Sequence, residues 1–237
     1  MVSIIIPVYN QLHLTRNCIN LIEKYTTVPY EIIIVNNGST DRTKKVLGRL
    51  KHIQVIHFNK NEGFAKACNK GILRAKGDLI LLLNNDTLPG SNWLSNLVRC
   101  IQSDPKIGMV GPRSNFVGGL QLIKGPRQQD QEAFTRHFNQ YDPSKWLDLD
   151  FLSGFCLLIK RQVIDDVGLL DERFVIGSYE DNDYSRRAIQ KGYRLVCAGD
   201  TFVYHLGSQT FKGNRINDVK IGAENHRRYL AKWGDKL

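Results

Sequence analysis

Over its first 111 residues this chain swings regularly between two hydrophobic periods, and that alternation constrains the fold more than any other feature. Short apolar runs at Val2–Val8, 31–35, 53–58, Leu79–Leu83 and 107–110 read as strands. Between them, Leu14, Cys18, Leu21, Ile22 and Tyr25 repeat at helical spacing, as do Phe64, Cys68, Gly71 and Ile72. Asn37-Gly38 reads as a turn ahead of a further helix that Ser39 or Thr40 can cap. Such alternation folds as α/β, with a mostly parallel central sheet and helices on both faces. The run Leu79-Ile80-Leu81-Leu82-Leu83 holds no polar residue, so it reads as a strand buried on both faces. It ends in Asn84-Asn85-Asp86 and the turn formers Pro89-Gly90. A carboxylate therefore stands at the carboxyl end of an inner strand, where open α/β sheets bind ligands.

The rhythm breaks at Gly111-Pro112, and the chain stays polar to about residue 150. A segment that long without regular structure is usually functional or mobile. Apolar character returns as a strand at 151–159, with a short helix near 162–167 and another over 181–191 that turns Tyr184, Ala188 and Ile189 inward. Short strands are expected at 193–197 and 201–204, and a basic helix at Asp218–Trp233. One domain over 1–237 is the simplest organisation: a half to residue 111, an elaborated half over 112–216, and a terminal helix over 217–237.

Totals exclude little. The chain has 237 residues, enough for a sizeable core, and no apolar run approaches a membrane span of about 20 residues. Five scattered cysteines without a CxxC pair argue against a zinc site or a disulfide framework, and fit a reducing, cytoplasmic setting. The formal charge of +10 permits attraction to nucleic acid, anionic lipid or phosphorylated small molecules, but no block of like charge selects among them.

Four polar clusters carry the chemistry. Asn84-Asn85-Asp86 can serve Mg2+ or Mn2+ bridging a diphosphate, which needs few protein ligands, or can simply be a turn. Glu180, Asp181 and Asp183 put three acids in the first turn of a helix. They suit the helix dipole, yet exceed capping needs, and one of them can act as a general base. His205 ends a strand, as a metal ligand or as a structural histidine. Pro7-Val8-Tyr9-Asn10 ends the first strand, where an aromatic can stack on a nucleobase, with Asn36-Asn37 on the same side of the sheet. There is no GxGxxG after the first strand and no GxxxxGK[ST] anywhere.

Taken together, these segments resemble the family 2 inverting glycosyltransferases, which adopt the GT-A fold. The likeness runs through Val2–Val8 with Tyr9-Asn10, Val35-Asn36-Asn37-Gly38-Ser39, Asn61-Glu62-Gly63-Phe64, Asn84-Asn85-Asp86, Ser153-Gly154-Phe155, Gly168-Leu169-Leu170-Asp171, Glu180-Asp181-Asn182-Asp183 and His205. The resemblance implies that Pro7, Val8, Tyr9 and Asn10 with Asn36 and Asn37 hold the nucleotide. Asn85 and Asp86 match the DxD-type element, with Asp86 a ligand to Mg2+ or Mn2+ and His205 completing the metal site. Asp181 matches the catalytic base, and Ser153, Gly154 and Glu180 border the donor sugar and acceptor. Trp146, Phe134 and Tyr141 are candidate acceptor contacts, or surface packing. Lys212 and Arg215 can meet the diphosphate if their loop closes. Amides at 36–37 replace a frequent Asp-Asp pair, which leaves a dTDP-linked donor open beside a UDP-linked one. The acceptor would be a glycan, a lipid-linked glycan or a protein hydroxyl. The basic terminal helix can contact anionic lipid, at the inner membrane face, or a further domain of a longer chain. Two rivals differ in class. A metal-dependent nucleotidyltransferase would carry a Gly-rich basic loop where Asn10-Gln11-Leu12-His13 stands. A nucleic-acid binder without enzymatic activity would need a basic stripe with interleaved aromatics, so no nucleic-acid partner is expected.

Overall fold

In a computed structural model, residues 1–234 are described. The first half runs β1 (Val2–Val8), α1 (Leu12–Tyr25), β2 (Tyr30–Asn37), α2 (Thr43–Leu47), β3 (Gln54–Phe58), α3 (Phe64–Ile72) and β4 (Leu79–Leu83). Next come β5 (Thr87–Leu88), α4 (Trp93–Gln102), β6 (Ile107–Arg113), α5 (Gln131–Phe138), β7 (Leu147–Leu149) and β8 (Cys156–Lys160). The chain closes with α6 (Arg161–Val167), α7 (Glu180–Gln190), β9 (Arg194–Phe202), β10 (Tyr204–His205), α8 (Gln209–Gly213) and α9 (Asp218–Trp233).

Eight strands form one sheet in the order β3-β2-β1-β4-β8-β6-β9-β7. The pairs β3–β2, β2–β1, β1–β4 and β6–β9 are parallel, while β8 and β7 run against their neighbours. Alternate side chains leave a strand on opposite faces, so β1 and β4 feed two cores. Ile4, Ile6, Leu81 and Leu83 pack with Cys18 and Ile22 of α1 and Trp93, Leu94 and Leu97 of α4. Ile5, Ile80 and Leu82 pack with Cys68 and Ile72 of α3, Val163 of α6 and Tyr184 and Ala188 of α7. All five residues of β4 are buried, as an apolar strand covered on both faces requires. After β1 the chain moves to β2 and β3 on one side, then returns to β4 on the other. The crevice of this switch lies beyond the carboxyl ends of β1 and β4.

Several local expectations are corrected. Gly111-Pro112 lies inside β6, where a register shift accommodates the proline. The strand expected over 151–159 starts only at Cys156, and 151–155 is an irregular segment that turns at Gly154-Phe155. The two strands expected over 193–204 are one long β9 followed by β10. Gly199 and Asp200, in the interval between the two expected strands, sit in the sheet, and 142–145 crosses them closely: a Cβ at Gly199 would lie 2.0 Å from the Lys145 carbonyl, and Asp200 accepts the Asp142 N–H. Ile189 is 38% exposed, since the buried stripe of α7 runs through Tyr184, Ser185 and Ala188. The N-cap position of α2 is Arg42, and the side chain that accepts the first helical N–H, that of Thr43, is Asp41 Oδ1, while Ser39 accepts the Asn10 N–H instead. The polar stretch after β6 holds α5, which buries only Gln131 and Thr135 and so shows no apolar period.

Candidate active site

The switch crevice opens into a cavity of about 230 Å3. Pro7, Val8 and Tyr9 reach it from the end of β1, and Asn84, Asn85 and Asp86 from the end of β4. The segment 151–155 brings Ser153 and Gly154, the start of α7 brings Glu180 and Asp181, and β10 brings His205.

The metal-type corner is built by the smallest sheet in the molecule. β10 pairs antiparallel with β5, setting His205 opposite Thr87 and hence beside Asp86. Asn115 clamps His205 by both backbone groups, donating to its carbonyl and accepting its N–H. The imidazole stacks on Phe155, with ring centroids 5.0 Å apart. Its Nδ1 is 2.8 Å from the Phe116 carbonyl, which can only accept, so Nδ1 carries the hydrogen. Nε2 then faces Asp86 Oδ1 at 3.1 Å, and a neutral ring there would oppose two lone pairs unless a proton or a cation stood between them. Adjacent donors on an octahedral cation about 2.1 Å away stand about 3 Å apart, so the pair fits Mg2+ or Mn2+. Among the described residues no group of three His, Cys, Asp or Glu is placed to hold a metal ion, so the chain itself offers this pair only. Burial opposes ionisation of Asp86, but the bond and charge of His205 and the Gln209 N–H outweigh it and hold the carboxyl below its ordinary value.

The other polar corner holds Asp181. Its Oδ2 accepts the Gly154 N–H at 2.9 Å and its Oδ1 the Asn182 N–H at 3.0 Å. Burial raises its proton affinity, and these two amides offset that only in part. Glu180 beside it is 5% exposed. Burial, then the Asp181 charge, push its carboxyl well above the ordinary range, although the backbone amides of Ser178 and Glu180 bond it. Its Oε2 lies buried without a partner. The folded chain thus holds the Glu180 proton to higher pH than the unfolded chain does, and stability falls as pH rises from the ordinary glutamate value toward the folded one. Glu180→Gln should therefore raise Tm at pH 8 and change it little at pH 4. Equal Tm shifts at both pH values would contradict a protonated Glu180.

The structure separates some of the expected residues. Asn37 lines the cavity, but its amide donates to Asn61 Oδ1 and the Gly63 carbonyl, and its Oδ1 accepts the Glu62 N–H. Asn36 points the other way, to His57 and the Ser39 N–H. Asn10 lies outside the cavity; its side chain accepts the Thr40 and Asp41 N–H groups and donates to Asn214. Trp146 is not at the cavity: its ring packs against Tyr141 and the core, and Phe134 packs on Phe138 and Phe202. Lys212 and Arg215 are exposed and do not line it either. Their segment already lies over the site, with the Gln209 N–H on Asp86, and turns Thr210 and Phe211 inward. Among the described residues no lysine or arginine lines the cavity, whereas Asp86, Glu180 and Asp181 do. Phe64, Phe116 and Phe211 complete its walls; only Phe64 fell within a motif.

This architecture is the GT-A fold of glycosyltransferases. The chain superposes on the mannosyltransferase PcManGT from Pyrobaculum calidifontis in complex with GDP-Man and Mn2+, with a TM-score of 0.67, 21% identity, and coverage of 86% of this chain and 56% of that one. It also superposes on GalNAc-T7 with UDP, GalNAc and Mn2+, with a TM-score of 0.69 and 18% identity, over 86% of this chain and 43% of that one. Residues 3–168 match the family model described as Glycosyl transferase family 2, and the chain belongs to that family. Glycosyltransferase AglE of Haloferax volcanii is 27% identical over 210 residues, which cover 86% of this chain and 66% of AglE. The chain spans smaller shares of other curated relatives it matches. Among the described residues, no helix is long and apolar enough to cross a membrane.

Proposed function

We propose that this glycosyltransferase moves a sugar from a nucleoside-diphosphate donor to an acceptor hydroxyl in one inverting displacement, with Asp181 as general base. The observation that carries this reading is the charge of the cavity: a single histidine, three acids, and no lysine or arginine among its described lining residues. A diphosphate cannot sit beside such walls without a cation. Asp86 and His205 would hold Mg2+ or Mn2+, which when bound supplies positive charge to the diphosphate as leaving group. Complexes of the structural neighbours with GDP-Man or UDP and Mn2+ support the same pairing.

Pro7, Val8 and Tyr9 take the nucleobase side, so residues 1–111 act as the nucleotide half and 112–216 as the acceptor half, followed by the terminal segment 217–237, of which residues 235–237 lie outside the described residues. UDP- and dTDP-linked donors remain the expectation, with GDP-linked sugars added by the mannosyltransferase likeness. In the reaction, the acceptor O–H gives its proton to the Asp181 carboxylate. Its oxygen bonds to the anomeric carbon, the bond from that carbon to the phosphate oxygen breaks, and the electron pair leaves with the nucleoside diphosphate. Ser153 and Gly154 border this step, and the Gly154 N–H orients Asp181.

A donor screen tests the reading. UDP-, dTDP- and GDP-sugars are incubated with Mn2+ or Mg2+, and released nucleoside diphosphate is measured. Release from at least one donor, abolished by chelation, is expected; metal-independent release would overturn it. Turnover should also rise with pH through a value above the ordinary aspartate range, because the base works ionised and burial raises it. Asp86, held low, stays ionised across that window. A rate profile flat down to pH 4 would contradict the assignment.

A further inference from the structure

The catalytic helix α7 starts from an unusual turn. Ile176, Ser178 and Tyr179 have φ of 68, 84 and 71°, a left-handed conformation that L residues rarely adopt and β-branched ones least of all. Ile176 and Ser178 also line the cavity, and the Ser178 N–H bonds the Glu180 carboxyl. Strain of this kind persists only where surrounding groups over-determine it.

Those groups come from α9, at the far end of the chain. Asn225, 1% exposed, points its Nδ2 at three carbonyls of this turn: Val175 at 3.0 Å, Gly177 at 2.9 Å and Ser178 at 3.1 Å. An amide nitrogen has two hydrogens, so three carbonyls saturate it. Arg228 donates to Asn225 Oδ1 at 2.9 Å, which fixes which end of the amide faces the turn. The remaining carbonyl, that of Ile176, takes the Phe64 N–H from α3. The Tyr179 ring stacks on His226, one residue from Asn225.

We infer that Asn225 is a positioning residue: by gathering the carbonyls of Val175, Gly177 and Ser178 it sets where Glu180 and Asp181 stand in the cavity. This rests on the reading of Asp181 as base. A misplacement of about 1 Å can cost about 10²-fold in rate, whereas the residues proposed to hold the nucleobase and the cation stand at the ends of β1 and β4 and in β10, none of them bonded to Asn225.

The test compares wild type, Asn225→Asp, Asp181→Asn and the double variant. The substrate is whichever of UDP-GlcNAc, GDP-mannose or a dTDP-hexose is turned over fastest with Mn2+. Aspartate keeps the shape and the Arg228 contact but offers the carbonyls no donor. Asn225→Asp should lower kcat about ten- to hundredfold with donor KM changed less than threefold, and should add no further loss in the Asp181→Asn background. Losses that multiply in the double variant, or a kcat within twofold of wild type, would overturn the inference. If Asp181→Asn itself is fully active, the base assignment fails instead, and the two failures are distinguishable. Should aspartate at 225 not fold, Asn225→Ser, which keeps one short donor, is judged by the same kcat-against-KM split and the same cycle.

Discussion

Asp181→Asn is expected to lower turnover by about 10²–10⁴-fold while leaving donor affinity within a few-fold of wild type. Asparagine keeps the volume, and its Oδ1 can still accept the Gly154 or Asn182 N–H, so the segment 151–155 and the start of α7 should stay in place. What it cannot do is take a proton. The substitution also removes a charge that pushes Glu180 upward, so the variant should be no less stable than wild type above the ordinary glutamate range. That separates lost chemistry from lost structure. Calorimetric donor binding and a Tm accompany the rate. A variant that binds donor, melts normally and turns over at more than a tenth of the wild-type rate would remove Asp181 from the mechanism. The acid limb of the wild-type profile should vanish along with the activity, because the same carboxylate produces both.

How much of this site could be read from the sequence depended on whether the informative relation was local. The apolar run of β4 ending in Asn84-Asn85-Asp86 announced a buried strand with a polar end, and the structure has that arrangement. Strand–helix alternation announced the parallel half of the sheet. The antiparallel insertion of β8 between β4 and β6 was not announced, because nothing in its apolar residues encodes the direction of its neighbours. The Asp86–His205 pair spans 119 positions and depends on a two-residue strand pairing, below any periodic signal, so it was legible through the family resemblance and not through spacing. Asn36 and Asn37 were read as one unit, although neighbours on a strand face opposite ways and only Asn37 can reach the cavity. Lys212 and Arg215 carried charge at a suggestive place, but the one-turn α8 spends its inner face on Thr210 and Phe211. Trp146 stood out as an aromatic in a polar segment; its ring covers core residues instead. Asn225 was the least visible. On a helix of mixed charge it looks like one more surface amide, and its function depends on a turn about 50 residues earlier.

Asp86→Ala should abolish the metal dependence of donor binding and lower kcat/KM by about 10²-fold or more. Losing even a supporting residue of a metal site typically costs 10–100-fold. The effect is electrostatic. Among the described residues lining the cavity, only His205 can carry positive charge, and Asp86 is the carboxylate that faces it. With alanine at 86, His205 keeps its Nδ1 bond to the Phe116 carbonyl and its stacking on Phe155, so the ring stays in place but stands alone as a ligand. One imidazole without a carboxylate facing it does not retain a divalent cation against water, and a diphosphate then meets Glu180 and Asp181 without compensation. Donor binding would be titrated calorimetrically with Mn2+ and with chelator. Wild type should show a large difference between the two, and the variant almost none, both values being weak. Asp86→Asn sharpens the comparison, because it keeps the shape and an acceptor for the Gln209 N–H but removes the charge. If either variant bound donor with wild-type affinity in the presence of Mn2+, the cation would have to be held elsewhere, and the Asp86–His205 corner would lose its role.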